Sequence, residues 1–156
     1  MRVDQKLCPP LPGAEIPDTE SDQYERMVVG RSRDGGRFWT IEEWGSYYGE
    51  MYPAMIRLAD GRLLLTFTVR AAVPARPQPL GIQAVLGEEK PDGFVFDFEN
   101  DRFVLDEKTP AEQWSGGGFG PTVQLEDGTL VSSYSYRTAD GKTHLEVVRW
   151  RLPNDR

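Results

Sequence analysis

Two 22-residue segments align without a gap: GEMYPAMIRLADGRLLLTFTVR (49–70) over GGGFGPTVQLEDGTLVSSYSYR (116–137), an offset of 67 residues. Gly49 meets Gly116, Leu58 meets Leu125, and Asp60-Gly61 meets Asp127-Gly128. Leu63 then meets Leu130, Phe67 meets Tyr134, and Arg70 meets Arg137. Each copy reads as strand, Asp-Gly turn, strand, and a looser strand pair follows each one. A chain that repeats on this scale folds as similar units set side by side, each with about four strands.

The rest of the chain agrees with an all-β reading. RMVVGRS, DGG and RFWTI read as strand, turn and strand. GIQAVLG, PDG and FVFDF do the same, with aromatic residues at alternate positions in the last. ADGK is a hairpin turn, and THLEVVRWRL closes the chain as a strand. The prolines in AAVPARPQP rule out a central strand there, and DEKTPAEQWSGGG is a long loop. Sixteen Gly and twelve Pro favour turns over long helices, and no segment has helical periodicity. Residues 1–24, with PPLPG and IPDTESD, read as an irregular Pro-rich arm ahead of one β domain over 25–156.

SRDGGRFW (32–39) fits the Asp-box pattern Ser-x-Asp-x-Gly-x-x-Trp. In it Ser32, Asp34, Gly36 and Trp39 act as a structural fastener. The Asp34 carboxylate accepts turn amides, glycine permits positive φ, and the Trp39 ring packs between neighbouring sheets. EKPDGFVF (89–96) is a decayed version that keeps Gly93 and Phe96. A calcium loop is the alternative reading of 32–39, but the alternating oxygen ligands of such a loop are missing.

With YPAMIRLADGRLLLTFTVR, GIQAVLG, GFGPTVQLEDGTLVSSYSYR and THLEVVRWR in that order, residues 26–152 resemble the C-terminal half of sialidase-like proteins with Asp-box (BNR) repeats. The resemblance implies a partial six-bladed β-propeller of about two to two and a half four-stranded blades. It divides the chain into the third and fourth strands of one blade (26–41), a full blade (52–98) and three strands of another (119–152). A partial ring exposes sheet faces and edges, which invites self-association or requires missing N-terminal blades.

The resemblance also implies site residues. Sialidases hydrolyse terminal sialic acids with a Tyr–Glu nucleophile pair, an Asp acid/base and three arginines on the sugar carboxylate. The Tyr and Glu begin inner strands, which places the catalytic candidates at Tyr52 and at Glu50, two residues upstream on the same side of an extended chain. Phe119, at the equivalent start in the last unit, has no hydroxyl. Arg70 and Arg76 are candidates for gripping the substrate, with Arg137 as the repeat counterpart of Arg70. Trp114 is placed to stack on a sugar face or to pin its loop. Trp44, Tyr47 and Tyr48 make an aromatic patch that suits packing or carbohydrate contact. The segments bearing the general acid and first arginine are expected upstream of this chain, so the chain alone is expected to be inactive.

Composition removes other classes. The formal charge is −7 with acids and bases intermixed, which disfavours a nucleic-acid or anionic-membrane surface. One cysteine, Cys8, and one histidine, His144, give neither a disulfide nor a Cys/His metal cluster. No metal or cofactor is expected, and no apolar run reads as a signal peptide or membrane span. Two functions stand: part of an exo-α-sialidase-type glycoside hydrolase, or a non-catalytic Asp-box propeller that binds carbohydrate or protein.

Overall fold

The computed structural model describes residues 2–4, 25–47, 49–69, 79–108, 119–138 and 140–153. All regular structure among them is β. The strands are β1 (Arg2–Asp4), β2 (Glu25–Arg31), β3 (Thr40–Glu43), β4 (Glu50–Arg57), β5 (Leu63–Val69) and β6 (Gly81–Lys90). They continue as β7 (Gly93–Phe96), β8 (Arg102–Glu107), β9 (Phe119–Gln124), β10 (Leu130–Arg137) and β11 (Thr143–Trp150). They pair antiparallel into three sheets: β1-β2-β3, β4-β5-β6-β7 with β8 also on β6, and β9-β10-β11.

The sheets stack face to face in chain order, and the strand sequences show why. LLLTFTV in β5 is almost uniformly buried, the pattern of a strand covered on both sides. Leu63, Leu65, Phe67 and Val69 pack with Val85, Phe96, Phe98 and Met27, against the first sheet. Leu64, on the other face, packs with Leu58, Ala84, Leu86 and Leu130, against the third sheet. In β10, LVSSYSYR alternates between buried and half-buried, because only one of its faces is covered.

The repeat seen in the sequence is also a repeat in space. The Leu58 amide bonds the Arg62 carbonyl at 2.8 Å, and the Gly61 amide bonds Leu58 at 2.9 Å. Leu125, Thr129 and Gly128 repeat both bonds at the same lengths. Asp60 and Asp127 each accept the amide two residues on, from Arg62 at 3.0 Å and Thr129 at 2.9 Å. Arg57 opposite Leu63 matches Gln124 opposite Leu130. The second and third sheets are tied by buried hydroxyls: Thr66 to Thr122 at 3.1 Å, and Thr122 to Ser132 at 2.8 Å.

Two elements depart from the sequence reading. Arg2–Asp4, within the arm read as irregular, is a strand on β2. Arg102–Glu107 was not recognised as a strand. β7 pairs with residues 87–90 of β6 and β8 with residues 81–85, so the two share one edge of the middle sheet. The first hairpin turn is also longer than DGG. It runs through Trp39, and β3 starts only at Thr40.

Candidate functional site

At one end of the stack lie the starts of β4, β6, β9 and β11 and the ends of β5, β8 and β10. Pairings of Glu50 with Val69, Val69 with Gly81, Gly81 with Glu107, and Arg137 with Thr143 define this rim. The Asp60-Gly61 and Asp127-Gly128 turns lie at the other end. So does the 32–39 turn, since Arg31 stacks over Phe94 at 5.1 Å beside the β6–β7 hairpin.

Glu50 and Tyr52 begin β4, but they do not form a surface pair. Glu50 is 1% exposed and its Oε1 accepts Arg102 Nη2 at 2.6 Å, with the Arg102 side chain 7% exposed. Its Oε2 accepts the Tyr47 amide at 2.7 Å. Arg102 is held further by Gln83 Oε1 at 2.7 Å and the Phe98 carbonyl at 2.8 Å, and it lies over the Phe67 ring at 5.2 Å. A buried guanidinium with this many partners fixes the carboxylate in the core.

The regular extended strand on which Glu50 and Tyr52 were expected to share one side is interrupted by a bulge. Met51 faces Thr68 and Ala54 faces Thr66, so Tyr52 and Pro53 together oppose one residue. Tyr52 has φ of 57°, the one positive φ outside glycine among the described residues. Pro53, with no amide to donate, suits a break in the ladder. The left-handed backbone breaks the two-residue alternation on which the shared side depended.

The remaining candidates divide. Arg70, Arg76 and Trp114 lie outside the described residues, as does Tyr48. Arg137 ends β10 exposed, and its Nε donates to the Gly141 carbonyl of its own hairpin at 2.8 Å. Phe119 opens β9 opposite Tyr134. Trp44 packs edge-on against Phe96 at 5.2 Å, which makes it a core residue. Tyr136 and His144, paired across β10 and β11, stack at 5.3 Å.

The 32–39 turn is closed by its own side chains. Ser32 Oγ donates to Asp34 Oδ1 at 2.9 Å and accepts the Gly36 amide at 2.8 Å. The same Asp34 oxygen accepts the Arg37 and Phe38 amides, both at 3.0 Å. The Phe38 amide, with the Ser32 hydroxyl, holds the Asp34 carboxyl below its ordinary value. Gly36 has φ of 89°, and its carbonyl accepts Trp39 Nε1 at 2.9 Å.

Trp39 corrects an expectation. It does not pack between sheets but is 62% exposed. Its ring lies over Gly30, 3.4 Å from where a Cβ would stand, on the face of the first sheet turned away from the second. No described sheet stands on that side to receive it.

A second polar cluster at the rim was not foreseen. Tyr134 Oη reaches Asp106 Oδ2, and Glu146 Oε2 at 2.7 Å. Lys108 Nζ lies 2.7 Å from Asp106 Oδ2 and 3.1 Å from Glu146 Oε2, and it sits over the Tyr136 ring at 3.9 Å. Burial and then the two carboxylates push the Tyr134 phenol far up, so it stays a proton donor. Burial alone would lower the Lys108 ammonium, but Asp106 and Glu146 reverse the sign and raise it. Burial alone would raise Glu146, yet Tyr134 and Lys108 lower it. The cluster can bind and orient, but it does not supply a phenolate at neutral pH.

A bulge in β8 builds this cluster. Gln83 faces Val104 and Ile82 faces Asp106, so Leu105 is an extra residue that turns Asp106 to the face of the third sheet. Gly81 permits it, since a Cβ there would come 2.1 Å from the Asp106 carbonyl. The signal available beforehand was Tyr134 at the repeat position of buried Phe67, because a buried phenol needs a partner. Among the described residues no group of three His, Cys, Asp or Glu is gathered to hold a metal. No family model, curated protein or solved structure matches the chain.

Proposed function

We propose that the three sheets are consecutive blades of an Asp-box propeller of sialidase-like type, and that the chain binds acidic carbohydrate at its rim without hydrolysing it. The observation that carries this reading is the Glu50–Arg102 ion pair. A Tyr–Glu nucleophile needs its carboxylate free to take the phenol proton, and Glu50 is committed to Arg102 and the Tyr47 amide. The blade reading draws on the face-to-face stack, the repeated turns and the self-closed 32–39 turn. The acidic-sugar reading draws on Arg137, an exposed guanidinium at the rim end of β10 whose planar fork suits a carboxylate.

Hydrolysis by a complete ring is the second reading. Tyr52 favours it, because strained backbone collects at functional sites, and Tyr52 alone among the described non-glycine residues has positive φ. Calorimetric titration of the chain with sialyllactose and with lactose separates binding from its absence. Heat with the sialylated sugar alone, reduced in Arg137→Ala at unchanged melting temperature, is the expected result. Equal response to both sugars, or to neither, contradicts the proposal.

A further inference from the structure

The strongest unexplained feature is the outward face of the third sheet. THLEVVRW in β11 is apolar on both sides but covered on one. Val148 and Trp150 turn toward the middle sheet, while Leu145 and Val147 turn away, 75% and 59% exposed. Exposed Val123 and half-buried Val131, paired across β9 and β10, extend the same outward face. Apolar side chains gathered on one sheet face mark an interaction surface.

The repeat indicates what kind of surface covers it. Val123, Leu125 and Val131 occupy the positions of Ile56, Leu58 and Leu64 one repeat earlier. Those three residues pack against the third sheet, with Leu58 and Leu64 fully buried and Ile56 against the same cluster as Leu130 and Trp150. The open face is therefore the continuation of an interface already formed once within the chain, and its natural cover is another sheet of this kind. The far end of the stack offers one. There the first sheet turns Ile41, 54% exposed, and the Trp39 ring outward.

We infer that the outward face of the third sheet docks a second copy of this chain, which seats the Trp39–Ile41 face of its first sheet there. The two faces differ and lie at opposite ends of one stack, so the contact is head-to-tail, and copies join into a closed ring or a chain of copies. The inference rests on the stacking and the repeat, not on carbohydrate binding. Trp39 then has the role that its exposure in the single chain leaves unfilled: it packs between sheets, but across two copies.

Sedimentation velocity tests this on the whole chain up to roughly 100 µM, a range that reveals weak contacts. One variant carries Leu145→Glu with Val147→Lys, and a second carries Ile41→Lys with Trp39→Gln. The parent chain is expected to associate, and each variant to associate at least about tenfold more weakly at unchanged circular dichroism. An equimolar mixture of the two variants is expected to recover a dimer, because one junction per pair keeps both native faces. A parent that stays monomeric overturns the inference. So does association that survives the second variant, which indicates a symmetric contact between third sheets. A mixture that stays monomeric while the parent associates places the contact on another surface.

Discussion

Arg102 and Glu50, from β8 and β4 of the middle sheet, meet at 2.6 Å in the core with both side chains shielded from water. The pair binds the edge of that sheet to its first strand, and with the Tyr47 amide it engages both oxygens of the Glu50 carboxylate. Removing one partner leaves the other charge buried alone. Arg102→Ala or Glu50→Ala is expected to cost about 3–5 kcal/mol in urea unfolding. Arg102→Met combined with Glu50→Met should cost less than the sum of its single changes. A loss below about 1 kcal/mol for Arg102→Ala contradicts the buried pair.

The left-handed backbone at Tyr52 predicts an ordering between two substitutions. Alanine keeps the strain of a Cβ at φ 57°, whereas glycine relieves roughly 1 kcal/mol of it. Tyr52→Gly should therefore unfold at higher denaturant than Tyr52→Ala. The reverse order shows that the backbone there is not held left-handed.

Exposure sets a contrast between two aromatic residues. Trp39→Ala, at a largely exposed site, should change stability by no more than about 0.5 kcal/mol in the monomer. Phe67→Ala, fully buried between the first two sheets, should cost about 3–5 kcal/mol. Equal losses would mean that the Trp39 face is covered.

The difference between Trp39 and Phe67 also marks how far the sequence reaches. Alternating and continuous apolar runs placed nine of the eleven strands, and the Asp-Gly pairs placed their turns. Strand alternation failed at Tyr52–Pro53, where one extra residue reverses which side chains face inward. Pro53, and Pro121 at the matching bulge one repeat later, mark a break in the ladder without saying which way the neighbouring side chains turn. Arg102–Glu107 went unread because it shares its edge position with β7 and is separated from it only by a short turn at Asp97–Asp101. Trp39 reads in the sequence as an aromatic that packs between sheets, because the pattern carries no sign that no described sheet lies beside it.

The titrating groups define a stability window. Asp34, Asp60 and Asp127 have folded values below the ordinary 3.8, through the Phe38 amide, the Arg62 guanidinium and the Thr129 amide respectively. Their contribution is present above that value and is lost as pH falls through the lowered ones. Tyr134 is raised from 10.0 by burial and by Asp106. The unfolded phenol ionises first, so stability falls as pH rises past that point. The melting temperature should drop at both extremes, and Tyr134→Phe should flatten the alkaline side. An unchanged alkaline limb in Tyr134→Phe would remove the phenol from that role. At neutral pH the same variant should lose about 1–3 kcal/mol, since it strips a hydrogen-bond donor from two carboxylates.

The proposed binding without hydrolysis is tested by following release of a fluorescent aglycone from a sialoside by the purified chain, in a sample whose sialyllactose binding is measured in parallel. Saturable binding with no release above buffer is expected, and Tyr52→Phe should be indistinguishable from the parent in both. Release that follows the protein through repurification and is abolished by Tyr52→Phe would contradict it.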